Sequence, residues 1–225
     1  MITPPLLLPF FVLLILIPFS LIFVIATPAV FQITFGLDYK SALLLFLLIV
    51  FGSFINLPLY RKRGRVVVGR YSFFGIIYYI ERRKDIVLAV NLGGCVIPLI
   101  LALRSLLEIP AIPFLISFLI CTLVIYHFAK PIPNVGIAVP MFIPPLVSAL
   151  SSYLVVLCFN LPIIILPKIA FSSGVLSALF GADILHLKDI EEIGSGIVSI
   201  GGAGTFDGIF LTGVFSVVFS MLLIA

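Results

Sequence analysis

Apolar residues run along this chain in blocks of about 20 positions, and within a block they occupy every face, with neither a single stripe nor strict alternation. A block of that length crosses a hydrocarbon core of about 30 Å as an α-helix. Backbone groups find no water in such a core, so only helices or closed barrels can span it. Barrel strands alternate polar and apolar positions over about ten residues, which these blocks do not do. The pattern therefore predicts an all-α membrane protein, about seven transmembrane helices in one bundle and one domain over residues 1–225. The expected spans are Leu6–Ala26 (closed by Thr27-Pro28), Ser41–Pro58, Ile86–Leu103, Ile109–Phe128, Val135–Phe159, Lys168–Leu187 and Ile197–Ala225. Pro140 and Pro144-Pro145 are expected to kink the fifth. The opening Met1-Ile2-Thr3-Pro4-Pro5 lacks a basic region, so the first block reads as a retained span and not as a cleaved signal.

Between the second and third blocks the pattern changes. Val66-Val67-Val68 and Ile76-Ile77-Tyr78-Tyr79-Ile80 are short β-branched and aromatic runs separated by Ser72 and Gly75, which predicts a small β-hairpin at the membrane interface. It is bounded by Arg61-Lys62-Arg63-Gly64-Arg65 and by Glu81-Arg82-Arg83-Lys84.

Composition sharpens this. Hydrophobic residues are 63% and charged residues 10% of the chain, with mean hydropathy +1.39, too few charges for a water-facing surface. Eight of the thirteen Lys and Arg fall between Arg61 and Lys84. The positive-inside rule puts that hairpin in the cytoplasm; seven spans then place the N-terminus inside and the C-terminus outside a cell membrane. Lys130 and Lys188 also fall inside, while Lys40, Arg104 and Lys168 fall outside. The net charge of +4 is thus a topology signal that requires no nucleic acid; the expected partners are the bilayer and, at the hairpin, anionic lipid headgroups. A homo-oligomer is compatible with the sequence. Cys95, Cys121 and Cys158 lie in apolar blocks without metal spacing and read as small core residues.

Ionisable residues inside spans are costly and point to function. Asp183 sits near the cytoplasmic end of the sixth span and Asp207 in the seventh, within Gly201-Gly202-Ala203-Gly204-Thr205-Phe206-Asp207-Gly208. His186 follows Asp183 by three residues, on the same helical face. Asn91 and Asn56 lie near the cytoplasmic ends of the third and second spans, so the topology brings all five to one depth. Carboxylate, amide and hydroxyl oxygens (Thr205, Ser199) are hard ligands suited to Ca²⁺, Mg²⁺ or Mn²⁺. The plainer readings are that Asp183 and His186 belong to the interface, that the amides bond neighbouring helices, and that the glycines allow close packing. No nucleophile–base pair, Walker loop or zinc spacing is present.

Several motifs resemble one family of archaeal and bacterial membrane proteins, domain of unknown function 1614: Thr27-Pro28-Ala29-Val30-Phe31, Gly52-Ser53-Phe54-Ile55-Asn56-Leu57-Pro58, Asn91-Leu92-Gly93-Gly94-Cys95-Val96-Ile97-Pro98, the run from Pro131 to Pro140, Gly181-Ala182-Asp183 and the run from Ser199 to Phe210. The resemblance implies a multi-span membrane fold and no established activity. A weaker resemblance is to presenilin-type intramembrane aspartyl proteases, which place one catalytic Asp on each of two successive helices. Here Ala182 replaces a Tyr, and Gly204-Thr205-Phe206-Asp207 is one residue longer than that family's Gly-x-Gly-Asp.

The residues favour a cation-binding membrane protein, a channel or transporter more than an enzyme, with Asp183 and Asp207 supplying charge and His186, Asn91 and Asn56 completing or orienting the site. An aspartyl protease and a non-catalytic structural protein are the alternatives. A single helix from Ile197 to Ala225 would be about 43 Å long. The continuous helix is therefore expected to start near Thr205, with Gly194–Gly204 non-helical, Thr205 as N-cap and Asp207 in the first turn.

Overall fold

The computed structural model describes residues 23–62, 66–73, 76–83, 86–132, 136–189, 196–202 and 207–224. The chain divides into two compact units, Met1–Leu47 and Leu48–Ala225. Most of the first expected span, together with Arg63, Arg65, Lys84, Gly204 and Thr205, lies outside the described residues.

In the first unit, helix α1 (Phe23–Phe35) runs through Thr27-Pro28, where a stop was expected. The Thr27 hydroxyl is satisfied inside the helix, donating to the Phe23 carbonyl at 2.7 Å. Gly36, at φ +67°, ends it in the left-handed conformation that glycine adopts without strain. Asp38 then caps α2 (Tyr39–Gly52), accepting from the Lys40 and Ser41 amides at 3.1 and 3.3 Å. The two helices meet at 117° and together are apolar enough to form one broken span.

After α2 the second block is not helical. Asn56, Leu57 and Pro58 open strand β1 (Asn56–Lys62). Strands β2 (Val66–Phe73) and β3 (Ile76–Arg83) pair antiparallel, as the β-branched runs predict. The ribbon is longer than expected, because β4 (Ile86–Asn91) pairs back on β1 from Asn56↔Asn91 to Lys62↔Ile86. The third block thus starts as a strand. A second strand replaces the start of the seventh block: β7 (Gly196–Ile200) lies parallel to β4, from Ile86↔Gly196 to Val90↔Ile200. The sheet order is β1-β4-β7. Central β4 has its hydrogen bonds filled from both sides, and one of its faces, with Ala89 and Asn91, is buried.

Helix α3 (Leu92–Ser105) follows β4, opening with a π turn at Leu92–Val96. Then come α4 (Ala111–Phe128), a short hairpin of β5 (Lys130–Ile132) and β6 (Gly136–Ala138), α5 (Ile143–Cys158), α6 (Ile163–Lys188) and α7 (Gly208–Leu222). Pro144 and Pro145 do not kink the fifth helix. They occupy its first turn, where the missing N–H has no helical acceptor to lose. The chain is mostly helical. Among the described residues α4 and α6 are long and apolar enough to cross a membrane, three spans if the bent α1–α2 pair counts as one, while α3, α5 and α7 are shorter.

Helix α6 is the axis of the second unit, packed by α3, α4, α5 and α7 and buried nearly all round from Leu166 to Leu179. Its contacts are unexpectedly polar. Ser117 of α4 is bonded to Ser151 and Ser152 of α5 at 2.9 and 3.0 Å, and Ser173 of α6 to Ser148 and Ser152 at 3.0 and 3.2 Å. The Ala170 carbonyl accepts from Ser148 and Ser216 at 2.9 and 2.8 Å. Gly213 of α7 faces Val175 so closely that a Cβ would come within 2.6 Å of it. Small residues and bonded hydroxyls are how helices associate where the surroundings are as apolar as the side chains. Cys121 joins this network at 3.1 Å from Ser151, whereas Cys158 is exposed and so is not the core residue expected.

Candidate carboxylate site at the strand-to-helix junctions

Each of the two parallel strands passes through glycines into a helix, and these passages build the site. At the end of β4, the Asn91 side chain accepts from the Gly94 amide at 2.7 Å and caps α3. Its NH₂ group donates to the Ser53 carbonyl at the end of α2, 2.8 Å, and to Asn56 Oδ1, 3.1 Å. Ser199 of β7 donates to the same Asn56 oxygen at 2.6 Å. One amide network therefore ties all three strands to the end of α2 and the start of α3. The expected Asn56–Asn91 proximity is present, and their visible bonds are to protein groups.

The end of β7 rests on the π turn of α3. Gly201 has φ +73°, and a Cβ there would stand 2.6 Å from that of Cys95. Both facts demand glycine. Beyond it, Asp207 caps α7, accepting from the Ile209 amide at 2.9 Å. The break before this helix is as the glycines and length predict, with Gly196–Ile200 extended. The helix begins at Gly208, so Asp207 is the cap itself and not a first-turn residue. A carboxylate there is stabilised by the amide and by the helix dipole.

Asp183 ends a second π turn, Leu179–Asp183, at the close of α6. Such turns inside α-helices recur at functional sites because they re-aim side chains. Gly181 lets this turn sit on α4, where a Cβ would meet the Thr122 carbonyl at 2.9 Å. His186 is buried, its ring 4.8 Å from that of Tyr126 and its Nδ1 3.1 Å from the Gly181 carbonyl. With that carbonyl as acceptor, Nδ1 carries the proton. The visible contacts of His186 thus brace the turn that presents Asp183. Asp183 and Asp207 lie within reach of each other's charge, and both charges reach Cys95 on the α3 π turn. The Leu92–Val96 turn is thus capped by Asn91 and covered by Gly201 at the end of β7. Among the described residues no three His, Cys, Asp or Glu side chains are grouped as metal ligands.

Cys95, Ser53 and the serines of the helix bundle were not among the residues singled out as candidates. The serines carry a readable signal, since Ser148, Ser151 and Ser152, or Ser216 and Ser220, recur at helical spacing.

A family described as protein of unknown function, DUF1614, matches residues 50–219. The chain belongs to this family. The DUF1614 match takes in every residue of the junctions, from Ser53 to Asp207. No curated protein and no solved structure matches the chain.

Proposed function

We propose that this DUF1614 protein is a multi-span membrane protein in which Asp183 and Asp207 hold a hard cation, as part of a channel or transporter. The observation that carries the reading is that Asp183 ends the π turn of α6 and Asp207 caps α7, the helix packed against α6. Interrupted apolar segments in corresponding places are where transporters of known type bind ions, because unwound backbone offers carbonyl oxygens. Carboxylates suit Ca²⁺, Mg²⁺ or Mn²⁺, which complete their shells with carbonyls and water. Asn91, Asn56 and His186 orient the turns that present the site.

Seven crossings belong to this reading, with the N-terminus and the β2–β3 ribbon cytoplasmic and the C-terminus outside. Extended backbone at membrane depth is tolerated where protein surrounds it.

The aspartyl-protease reading draws on the same carboxylate pair, which could share one proton. The two separate in one experiment: crystals of the full chain soaked in MnCl₂. The cation reading expects anomalous density between Asp183 and Asp207. Absence of density at saturating Mn²⁺, with cleavage of a helical reporter lost in Asp183→Asn and Asp207→Asn, overturns it in favour of the protease.

A further inference from the structure

Strands β2 and β3 pair with each other and pack to no appreciable extent on any other described element. A two-stranded ribbon covered on neither face is marginal in water, so a surface outside the bundle is expected to complete it. The register shows what that surface must satisfy. Facing residues of an antiparallel pair share a side, and sides alternate along each strand. From the turn end, one face carries Phe73 with Ile76, Tyr71 with Tyr78, and Gly69 with Ile80, reaching its first charge at Val67 with Arg82. The other carries Ser72 with Ile77, Arg70 with Tyr79, Val68 with Glu81 and Val66 with Arg83, so that a charge stands in each pair but the first. The segment from Arg61 to Lys84 holds eight Lys and Arg and a single acid, Glu81. Tyr60, just before it in β1, is 62% exposed.

We propose that the β2–β3 ribbon docks on the anionic leaflet of the bilayer that holds the protein, with the Phe73–Ile76 and Tyr71–Tyr78 face laid on the lipid. The distal three pairs are an apolar and aromatic patch, and tyrosine favours the depth at which headgroups meet acyl chains. The basic residues then lie at the phosphate level, where anionic lipid attracts each of them. A soluble acidic partner would satisfy the charge but would leave the aromatic face uncovered. The proposal rests on the chain being embedded in a bilayer, and it is independent of the cation site.

The chain contains no tryptophan, so one introduced indole reports alone. Ser72 and Phe73 are neighbours on opposite faces, which makes Phe73→Trp and Ser72→Trp a matched pair. Each full-length variant is placed in nanodiscs with bromine-labelled acyl chains, of phosphatidylcholine with or without phosphatidylglycerol. Failure to enter nanodiscs would count against the membrane reading itself. In anionic discs the Phe73→Trp indole should be quenched at least about twofold more than the Ser72→Trp one. Removing charge with Arg82→Ser and Arg83→Ser should lower the ratio of docked to free ribbon by about fivefold per residue. Should Phe73→Trp fold poorly, Ile76→Trp reports from the facing position. Equal quenching on both faces, quenching indifferent to phosphatidylglycerol, or an indole that ignores lipid but responds to an added oligonucleotide would each overturn the proposal.

Discussion

Asn91 and Asn56, the first register pair of the β1–β4 ribbon, are joined side chain to side chain, Nδ2 to Oδ1, at 3.1 Å. Asn91 is fully buried, and through it the Ser53 carbonyl just beyond α2 and the Gly94 amide in the first turn of α3 are satisfied by one residue. Asn91→Leu keeps the branched outline of the side chain and strands the Ser53 carbonyl, the Gly94 amide and one Asn56 bond. A loss of about 1–3 kcal/mol is expected, measured by unfolding in mixed detergent micelles. Asn91→Asp, which keeps the acceptor and loses the donors, should fall between the two.

Asp183→Asn and Asp207→Asn should each abolish the stabilisation that divalent cations give. At a cation concentration of about 100 times Kd, ligand linkage amounts to about 2.7 kcal/mol. It should be visible as a shift in melting temperature with added Ca²⁺ or Mg²⁺ in the wild type and absent in both variants. A shift retained in both would remove the carboxylates from the site.

The glycines of α7 should respond oppositely. Gly213→Ala places a methyl 2.6 Å from Val175 Cγ2 and 3.0 Å from Phe171, and should cost about 1–3 kcal/mol. At Gly208 nothing lies within 4 Å of the added carbon, so Gly208→Ala should stabilise by about 0.4–1 kcal/mol. The pair of melting temperatures tests whether α6 and α7 are as close as described.

Glu108, just beyond α3, is paired with Lys168 of α6, which holds its carboxyl below the usual glutamate range, with Arg104 helping. A depressed carboxyl stabilises the fold fully above the unfolded glutamate value of about 4.3, and that contribution is lost as pH falls through the lower folded value. Glu108→Gln should therefore lower stability slightly at neutral pH and converge with the wild type in acid. The pair is exposed, so added salt should shrink the difference.

Tags test the topology. One inserted in the Arg61–Lys84 ribbon should report the cytoplasm and one after Ala225 the outside. Both on the same side would mean an even number of crossings between them, against the odd number expected.

The sequence reading succeeded where the local chemistry was unambiguous. The Val66–Val68 and Ile76–Ile80 runs are too rich in β-branched and aromatic residues for another reading, and the glycines before Asp207 coincide with a block too long for one crossing. It failed at Ile86–Asn91, expected as helix, and at Gly196–Ile200 it foresaw the break in the helix but not a paired strand. A five- or six-residue apolar run has the same appearance at the start of a helix as in a strand. What makes these strands is their pairing with each other, across more than a hundred residues, which no local pattern reveals. Pro144 and Pro145 misled for a related reason: proline marks an irregularity, and only the helix boundary decides whether it starts a helix or bends one. The five candidate residues were named from cost, spacing and depth. In the structure Asn56, Asn91, His186 and Asp207 all bond protein groups at the turns, a role that only hydrogen-bond geometry reveals.

The parallel pairing of β4 with β7 also orders events during synthesis. Strand β4 cannot fill its second edge until β7 has been made, after α4, α5 and α6 have intervened. Asp207 arrives later still. Until then Asp183 has no companion charge and the α3 turn lacks the glycine that covers Cys95. Contacts of such long sequence separation form slowly, since the loop entropy is spent before they return anything. The nascent protein therefore passes through a stage in which its helices are laid down and its carboxylate pair does not yet exist. A chain halted before Gly196 should expose one open edge of β4, at which chaperones or a second nascent copy could pair.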